Sequence, residues 1–332
     1  ITMISLNRFV GLAIAVAVVN TGLAQAIETC RWQAEIDRVR AITKEDILAL
    51  NGKHPTCPTM TVEVFKNEEL ETVMMADMVK RILDSDRYDK KVVMIMCNPN
   101  TTYRKVAYML RELGVNCRNV KFYMMDEWAD DQGNIAPLSY RNGFGNAFYR
   151  FMVSNILDLG FKEENFIYHS AKVTPDYSKM LEADGEADIV YSGPGWPGHL
   201  AFIDPVEDWF KPTMEEYLEQ PAKVASLHPL TIAQNSLHGC FGCSGDISKV
   251  PPMGAMMGPR DAMKAKNVMD IHGITTAGTQ VTWQRLTSRL TVFGKPSQQV
   301  PTSILQLRDK PTRVVMSENL AATIKEDDYF QY

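Results

Sequence analysis

Two patterns of hydrophobic residues alternate along the chain. Short apolar runs with the composition of strands, such as "TMTVEVF" at residues 59–65 and "KVVMIM" at 91–96, are followed by segments with apolar residues at helical spacing, such as 70–83. A wholly apolar run is typical of a parallel strand that is covered on both faces. The alternation therefore predicts an α/β fold with a doubly wound, mostly parallel, Rossmann-like sheet and helices on both faces.

The same alternation continues towards the C-terminus. Further strands are predicted at residues 119–127, 165–169, 187–193, 267–273 and 312–318, and further helices at 101–113, 139–159 and 281–290. No linker rich in Gly, Ser or Pro divides residues 59–332, so we expect them to form a single domain. Residues 27–58 have mixed charge and predict a helical extension in front of that domain.

The first 26 residues differ from the rest of the chain. One Arg precedes an apolar run at residues 9–19, and Ala24-Gln25-Ala26 follows, which is the layout of a secretory signal peptide cleaved after Ala26. The run is shorter than the roughly 20 residues that a membrane span needs. We therefore predict a periplasmic or secreted protein with no stable membrane span after leader removal. An N-terminal anchor, or a cytoplasmic protein with an unused leader, is the alternative.

Composition and charge narrow the class of protein. Hydrophobic residues make up 45% and charged residues 23% of the chain, as in soluble globular proteins. The net charge of −5 and the lack of a basic stripe argue against a nucleic-acid partner. Cys240 and Cys243 in "HGCFGC" favour a loop disulfide or two free thiols, because no second ligand pair has zinc-like spacing. We predict no metal and no cofactor.

Three predicted loops with polar chemistry each follow a strand. They are "CNPNTTY" at residues 97–103, "MDEWADDQGN" at 125–134 and "SGPGWPGH" at 192–199. Ligands of open parallel sheets bind beyond the carboxyl ends of the strands. The three loops are therefore expected to meet at one edge of the sheet and to form a single pocket there.

Two adjacent carboxylates begin the second loop. Asp126 and Glu127 follow an apolar strand, and because successive side chains alternate, at most one of them should point into a shared pocket. Burial would raise the pKa of such a carboxylate and suit it to proton transfer. The alternative is a solvated acidic turn that also includes Asp130 and Asp131.

A histidine ends the third loop. His199 can move protons near neutral pH, and Asp204, five residues later, could orient its ring. Three glycines precede the histidine and would let a ligand approach the backbone: Gly193, Gly195 and Gly198. Trp196 could stack on the apolar face of a sugar or pack at the rim of the pocket.

These motifs resemble those of a known enzyme family. "YMMDEW" and "SGPGWPGHLAFIDP" are similar to the Met-Asp-Glu-aromatic and Gly-x-Gly-x-Asp-Gly-His-Ile-Ala-Phe-Asn-Glu-Pro motifs of the glucosamine-6-phosphate deaminase (isomerase) family, and weaker likeness extends over about residues 64–321. The resemblance implies that Asp126 moves a proton from C2 to C1 of the opened amino sugar. His199 would open the sugar ring, and the C2 amine would leave as ammonia. Asp204 stands at the position of the family's Glu, one methylene shorter.

Several positions depart from the family pattern. Pro197 replaces the Asp two residues before the histidine, and the phosphate loop is replaced by "CNPNTTY", which lacks glycine. The family's phosphate-binding Arg aligns with Leu237, and its Lys aligns near Gln280. Charge-assisted hydrogen bonds contribute roughly 1.5–3 kcal/mol each, so these losses imply an unphosphorylated or atypical sugar.

The predicted function is aldose–ketose isomerisation with deamination of an amino sugar. The alternatives are a non-catalytic sugar-binding protein on the same fold and a lactone hydrolase similar to 6-phosphogluconolactonase, which carries a similar histidine loop. The partner is a small sugar, and a homo-oligomer is left open. The predicted catalytic residues are Asp126, His199 and Asp204. The predicted substrate-binding residues are Asn98, Thr101, Thr102, Glu127, Gly193, Gly195, Trp196 and Gly198.

Overall fold

The strands of the protein form two sheets. A computed structural model describes residues 32–97, 101–273 and 282–325. Within them the strands are β1 (Gly52–Lys53), β2 (Met60–Phe65), β3 (Val92–Met96), β4 (Val120–Met124), β5 (Asp126–Ala129), β6 (Phe166–Ile167), β7 (Ile189–Ser192), β8 (Lys223–Ser226), β9 (Met253–Met256), β10 (Val268–His272) and β11 (Thr312–Ser317). The main sheet has the order β1-β2-β11-β10-β7-β3-β4-β6. Only its β1–β2 pair is antiparallel, which confirms the predicted mostly parallel α/β fold.

Helices connect these strands. They are α1 (Gln33–Arg40), α2 (Lys44–Ala49), α3 (Leu70–Arg87), α4 (Thr102–Glu112), α5 (Phe144–Phe151), α6 (Tyr177–Ala183), α7 (Met214–Leu218), α8 (Pro229–Ser236), α9 (Pro259–Lys264), α10 (Gln284–Phe293) and α11 (Glu318–Ala321). Across the described part of the chain, none of them is both long and apolar enough to cross a membrane. The predicted leader at residues 1–26 lies outside the described residues.

The central strands are buried along their whole length. All five residues of β3 are buried, and four of the five in β4 are buried. In the parallel register Met96 of β3 lies beside Met124 of β4. The chain therefore leaves β3, β4, β7 and β10 at one common edge of the sheet, where residues 97, 125, 193 and 273 begin the following loops.

The second sheet was not predicted. Residues 125–134 were expected to form a loop, but Asp126–Ala129 are β5, which pairs antiparallel with β9, and β9 pairs antiparallel with β8. Met125 joins the two sheets, because its N–H donates to Met96 O at 3.0 Å and its C=O accepts from Met257 N at 2.9 Å. The partners of β5 are more than a hundred residues away, so the local sequence does not reveal them.

Two predicted helical regions are also more broken than expected. Residues 139–159 contain the α-helix only over Phe144–Phe151, followed by the 3₁₀ turns Val153–Asn155 and Leu157–Leu159. The helix begins late because Asn142-Gly143 is a turn-forming pair. The extension at residues 27–58 forms α1 and α2, and it also supplies β1, which pairs with β2 at the edge of the main sheet.

A buried arginine ties the two ends of the described chain together. The side chain of Arg289 in α10 is fully buried, and burial lowers its pKa to about 10, so it stays charged at neutral pH. Each of its five N–H groups donates to a backbone carbonyl at 2.9–3.1 Å: those of Ile42, Arg285, Leu320, Ala321 and Ala322. Arg289 thus joins the N-terminal helices to α10 and α11.

Replacing this arginine should destabilise the fold. Lysine has three donors in place of five and lacks the planar fork, so Arg289→Lys leaves buried carbonyls without partners. We expect the free energy of unfolding to fall by about 3 kcal/mol in urea titrations. Arg141→Lys, at an exposed arginine, serves as the control and should change it by less than about 0.5 kcal/mol. Equal unfolding midpoints for the two variants would contradict this role of Arg289.

Candidate active site

A cleft of about 500 Å³ lies at the carboxyl edge of the central strands. Each of the three predicted loops contributes to it: Cys97 follows β3, Asp126 follows β4, and His199 belongs to the loop after β7. Phe144 and Phe202 also line this cleft and make its wall apolar beside the polar groups. The structure therefore brings the predicted proton-transfer residues Asp126 and His199 into one pocket.

Asp126 is a buried carboxylate with an unused oxygen. The residue is only 6% exposed, and its Oδ1 has no hydrogen-bond partner among the described residues. Burial is the largest cause that raises the pKa of Asp126 well above its ordinary value, and the negative charges of Glu127 and Asp204 raise it further. Such a carboxylate is a stronger base than an exposed one, and its free oxygen can accept a proton.

Glu127 points away from the cleft and has a different role. Its carboxylate accepts hydrogen bonds from the N–H groups of Trp128 at 2.8 Å, Phe144 at 3.1 Å and Gly145 at 2.8 Å. Two of these donors belong to the first turn of α5, so Glu127 caps that helix from a neighbouring strand. Side chains alternate along β5, so Asp126 lines the cleft and Glu127, which was predicted to bind substrate, does not line it.

Asp204 holds the ring of His199. Its Oδ1 is 2.8 Å from His199 Nδ1 and accepts from Thr231 Oγ1 at 2.8 Å, while Oδ2 accepts from His228 N at 2.8 Å. A carboxylate accepts, so Nδ1 carries the proton and Nε2 keeps its lone pair. The short Asp reaches the ring because the chain turns tightly before it, with Ala201 in the left-handed region at φ 53°.

The glycines of the loop make room for this histidine. A Cβ on Gly195 would overlap His199 Nε2, so only glycine fits against the imidazole there. Gly193 and Gly195 both line the cleft, as predicted for residues that bind substrate. Gly198 does not line it. It has a φ of +78°, and a Cβ there would lie 2.8 Å from Val300 Cγ1, so its role is to shape the turn before His199.

Trp196 packs behind the cleft and does not line it. Its ring stacks on that of Trp283, with the ring centres 5.9 Å apart and the planes 10° apart, and Trp283 does line the cleft. Its backbone N–H donates to Gln234 Oε1 at 2.6 Å. Of the two predicted roles, packing at the rim fits the structure. Trp283 and Gln234 were not predicted to line the cleft, although Leu237 and Gln280, which align with the family's phosphate-binding residues, lie three residues from them.

The threonines of the first loop lie away from the cleft. Thr102 is buried and its hydroxyl donates to Glu71, which also forms an ion pair with Lys105 at 3.0 Å. Thr101 is exposed and does not line the cleft. The structure therefore places both predicted substrate-binding threonines outside the cleft lining, and Thr102 instead helps to pack α4 against α3. Asn98 lies outside the described residues.

The described lining of the cleft offers no permanently charged cation. Among the described residues that line it there is neither Lys nor Arg, and Leu237 stands where the family motif has an Arg. Residues 98–100 and 274–281 lie outside the described residues, and they too contain no Lys or Arg in their sequence. Within the described ranges, no group of His, Cys, Asp and Glu could hold a metal ion.

Comparison with known proteins gives one consistent set of relatives. No family model matches the chain. Glucosamine-6-phosphate deaminases from Clostridium botulinum (strain Eklund 17B / Type B) and Corynebacterium efficiens are 24% and 26% identical over 241 and 239 residues, covering 70% of this chain and 83% of theirs. The deaminase from Caenorhabditis elegans is 26% identical over 171 residues, which span 58% of its length. These low-identity matches support a divergent member of the glucosamine-6-phosphate deaminase family.

Solved structures of a glucosamine-6-phosphate deaminase and of a 6-phosphogluconolactonase share the fold of this chain. A monomeric glucosamine-6-phosphate deaminase superimposes with a TM-score of 0.63 at 18% identity, covering 80% of this chain and all of that one. A 6-phosphogluconolactonase from Leishmania guyanensis superimposes with a TM-score of 0.54 at 13% identity, covering 81% and 99%. At these identities the likeness concerns the architecture alone.

The raised pKa of Asp126 should make its effect on stability depend on pH. Its contribution to stability is complete below the unfolded pKa of about 4 and is lost as pH rises through the higher folded pKa. The Asp126→Asn variant has no carboxyl group to ionise at this position, so it does not lose stability in this way as the pH rises. We therefore expect the variant to be more stable by about 1–3 kcal/mol at pH 8 and nearly unchanged at pH 4.

Urea unfolding at the two pH values measures this difference. Asp131→Asn, at an exposed carboxylate of the same acidic segment, is the matched control and should shift the free energy of unfolding by less than about 0.5 kcal/mol at both. A stabilisation by Asp126→Asn that is equal at pH 4 and pH 8 would rule out a raised pKa as its cause.

Proposed function

We propose that this protein is an enzyme that converts an amino sugar without a phosphate group into the corresponding ketose and ammonia. One observation carries the proposal: Asp126 and His199 face the same cleft from different strand ends, and each has an atom available for proton transfer. Similarity to glucosamine-6-phosphate deaminases at 24% and 26% identity supports the reaction class.

The first proposed step is opening of the sugar ring. His199 Nε2 takes the proton of the C1 hydroxyl and returns a proton to the ring oxygen, so the hemiacetal becomes an aldehyde. Asp204 and Thr231 hold Nδ1, which keeps the imidazole in one tautomer and orientation. These contacts support the role of His199 although Pro197 removes the family's second carboxylate.

The second proposed step moves a proton along the opened chain. Asp126 takes the proton from C2 and returns it to C1, while one proton passes from the amine nitrogen to the C1 oxygen. The C1 aldehyde thus becomes an alcohol and C2 becomes an imine, so the aldose is converted into a ketose imine. Water then adds to C2, and the nitrogen leaves as ammonia. The deprotonated carboxylate is needed as the base, so the raised pKa of Asp126 strengthens the base and moves the acid limb of activity towards neutral pH.

The charge of the cleft supports an unphosphorylated substrate. A phosphate brings close to two negative charges, and no Lys or Arg among the described lining residues meets them, while Asp126 and Asp204 are close by. Export of the protein, proposed from the leader sequence, agrees with a sugar that is not an intracellular phosphate ester. Export and self-association stay predictions from the sequence.

A second candidate is a sugar-binding protein that has lost the chemistry. Pro197 favours it, because proline offers neither a side-chain acceptor nor an N–H where the family motif has Asp. Such a protein would bind an amino sugar without releasing ammonia. Lactone hydrolysis has the shared architecture in its favour but no further feature of the cleft.

Ammonia release tests the proposed reaction. We expect the protein to release ammonia from D-glucosamine in a coupled assay and to form the ketose in equal amount. Asp126→Asn should lower kcat by at least about a hundredfold while the protein stays folded, because the base is lost. Binding of glucosamine by calorimetry, with no ammonia from either protein, would favour the sugar-binding alternative.

The lack of Lys and Arg among the described residues that line the cleft has a separate consequence. We expect glucosamine 6-phosphate to give a kcat/KM no higher than that of glucosamine, because its extra charge finds no cation. Leu237→Arg restores a guanidinium at the family's position and should improve the ratio for the phosphorylated sugar by about tenfold. Ile247→Arg, at an exposed residue outside the cleft, is the control. A strong preference of the unaltered protein for the phosphorylated sugar would contradict the proposed substrate.

A further inference from the structure

A line of four buried polar side chains runs from the cleft into the interior. Ser192 Oγ donates to Asp270 Oδ1 at 2.7 Å, Asp270 Oδ2 lies 2.8 Å from His272 Nε2, and His272 Nδ1 lies 2.9 Å from Ser288 Oγ. All four residues are at most 1% exposed. The proposed steps of the reaction use none of them, and the sequence patterns did not indicate them.

The strand register brings these groups together. Ser192, the last residue of β7, is the direct parallel partner of Asp270 in β10, so both side chains lie on the same face of the sheet. His272 follows Asp270 by two residues and shares that face, and α10 brings Ser288 over it. Of these four residues, only Ser192 lines the cleft.

The line fixes the direction of the Ser192 hydroxyl. A serine hydroxyl has one proton and two lone pairs, and Asp270 already accepts that proton. Because the second oxygen of Asp270 also accepts, His272 Nε2 carries a proton, and the carboxylate cannot donate back to Ser192. What Ser192 offers to the cleft is therefore an acceptor. The Ser192 hydroxyl contacts the carboxylate of Asp270 and not an imidazole, so it is not activated as a nucleophile.

We infer that Ser192 is a specificity-determining residue whose hydroxyl accepts a hydrogen bond from an N–H or O–H group of the bound amino sugar. Asp270, His272 and Ser288 are positioning residues that hold Ser192 in this accepting state. Burying an aspartate and a histidine inside a central strand costs free energy. The arrangement gives the cleft a hydrogen-bond acceptor in a fixed orientation, the hydroxyl oxygen of Ser192. The inference rests on the proposed function, because it requires an amino sugar in the cleft.

Calorimetry on a non-reacting protein tests the contact. In an Asp126→Asn background, which separates binding from turnover, Ser192→Ala should weaken the binding of D-glucosamine by roughly five- to tenfold. Ser178→Ala is the matched control, because Ser178 is also buried and donates to a buried carboxylate, that of Asp261, at 2.8 Å, yet it does not line the cleft. We expect it to leave the affinity unchanged.

A second variant tests the positioning role without removing the serine. In Asp270→Asn the amide oxygen keeps the proton of His272, so the amide NH₂ group faces Ser192 and turns its hydroxyl proton towards the cleft. Asp270→Asn should therefore weaken glucosamine binding as much as Ser192→Ala, and the double variant should lose no more than either alone. Circular dichroism establishes that each variant is folded. If Asp270 has only a structural role, the folded variants should bind glucosamine with the affinity of the Asp126→Asn parent.

Sugars that each lack one donor group identify the partner of Ser192. The panel consists of 3-, 4- and 6-deoxyglucosamine, 2-deoxyglucose and the 1,5-anhydro sugar. The sugar that lacks the partner of Ser192 should bind to the Asp126→Asn parent more weakly than D-glucosamine does. It should bind equally well to the parent and to the Ser192→Ala variant, because the contact is missing in both cases. If Ser192→Ala binds every sugar as the parent does, the inference about Ser192 fails while the proposed function stands. If the parent itself binds none of these sugars and the unaltered protein releases no ammonia, both fail together.

Discussion

A carboxylate removed from water needs hydrogen-bond donors, or it becomes a costly and reactive group, and the cleft of this protein is built on that constraint. Glu127 receives three backbone N–H groups. Asp204 is satisfied by a ring nitrogen, a hydroxyl and a backbone N–H. Asp126 keeps one oxygen without a partner among the described residues. The first two carboxylates therefore hold structure in place, and only the third is left with capacity for chemistry.

The same arrangement lowers the stability of the fold at the proposed active site. The buried, unsatisfied oxygen of Asp126 disfavours the folded state, and Gly195 gives up a side chain so that the imidazole of His199 fits against the backbone. These costs are offset elsewhere, for example by Arg289, which joins both ends of the described chain through five backbone carbonyls. A strained or unsatisfied group next to a cleft is a common mark of a functional site.

The polarity of the cleft separates this chain from the family whose fold it shares. Its described lining residues include the acceptors Asp126, His199 Nε2 and Ser192, and they include no Lys or Arg. A ligand that fits such a surface brings donors, which an amino sugar has in its hydroxyl groups and its amine. Pro197 stands where the family motif has an Asp, and Asp204 and Thr231 both contact one nitrogen of His199.

Local sequence was enough to predict the seven main parallel strands and the carboxyl edge at which the loops meet, because fully apolar runs between helices have few other uses in a soluble fold. It was also enough for the pairing of Asp126 with His199 in one pocket. It did not predict that Glu127 contacts α5 or that Thr102 contacts Glu71, since these partners approach only in the folded chain.

The features that local sequence did not predict depend on contacts between distant segments of the chain. β5 became a strand because β9 lies beside it, and Asp204 reaches the histidine because a tight turn shortens the distance. Ser192 became an acceptor because the sheet register places Asp270 next to it. Residue type and periodicity determine which surfaces of an element become buried, whereas hydrogen-bond partners depend on which elements become neighbours, and that is a property of the whole chain.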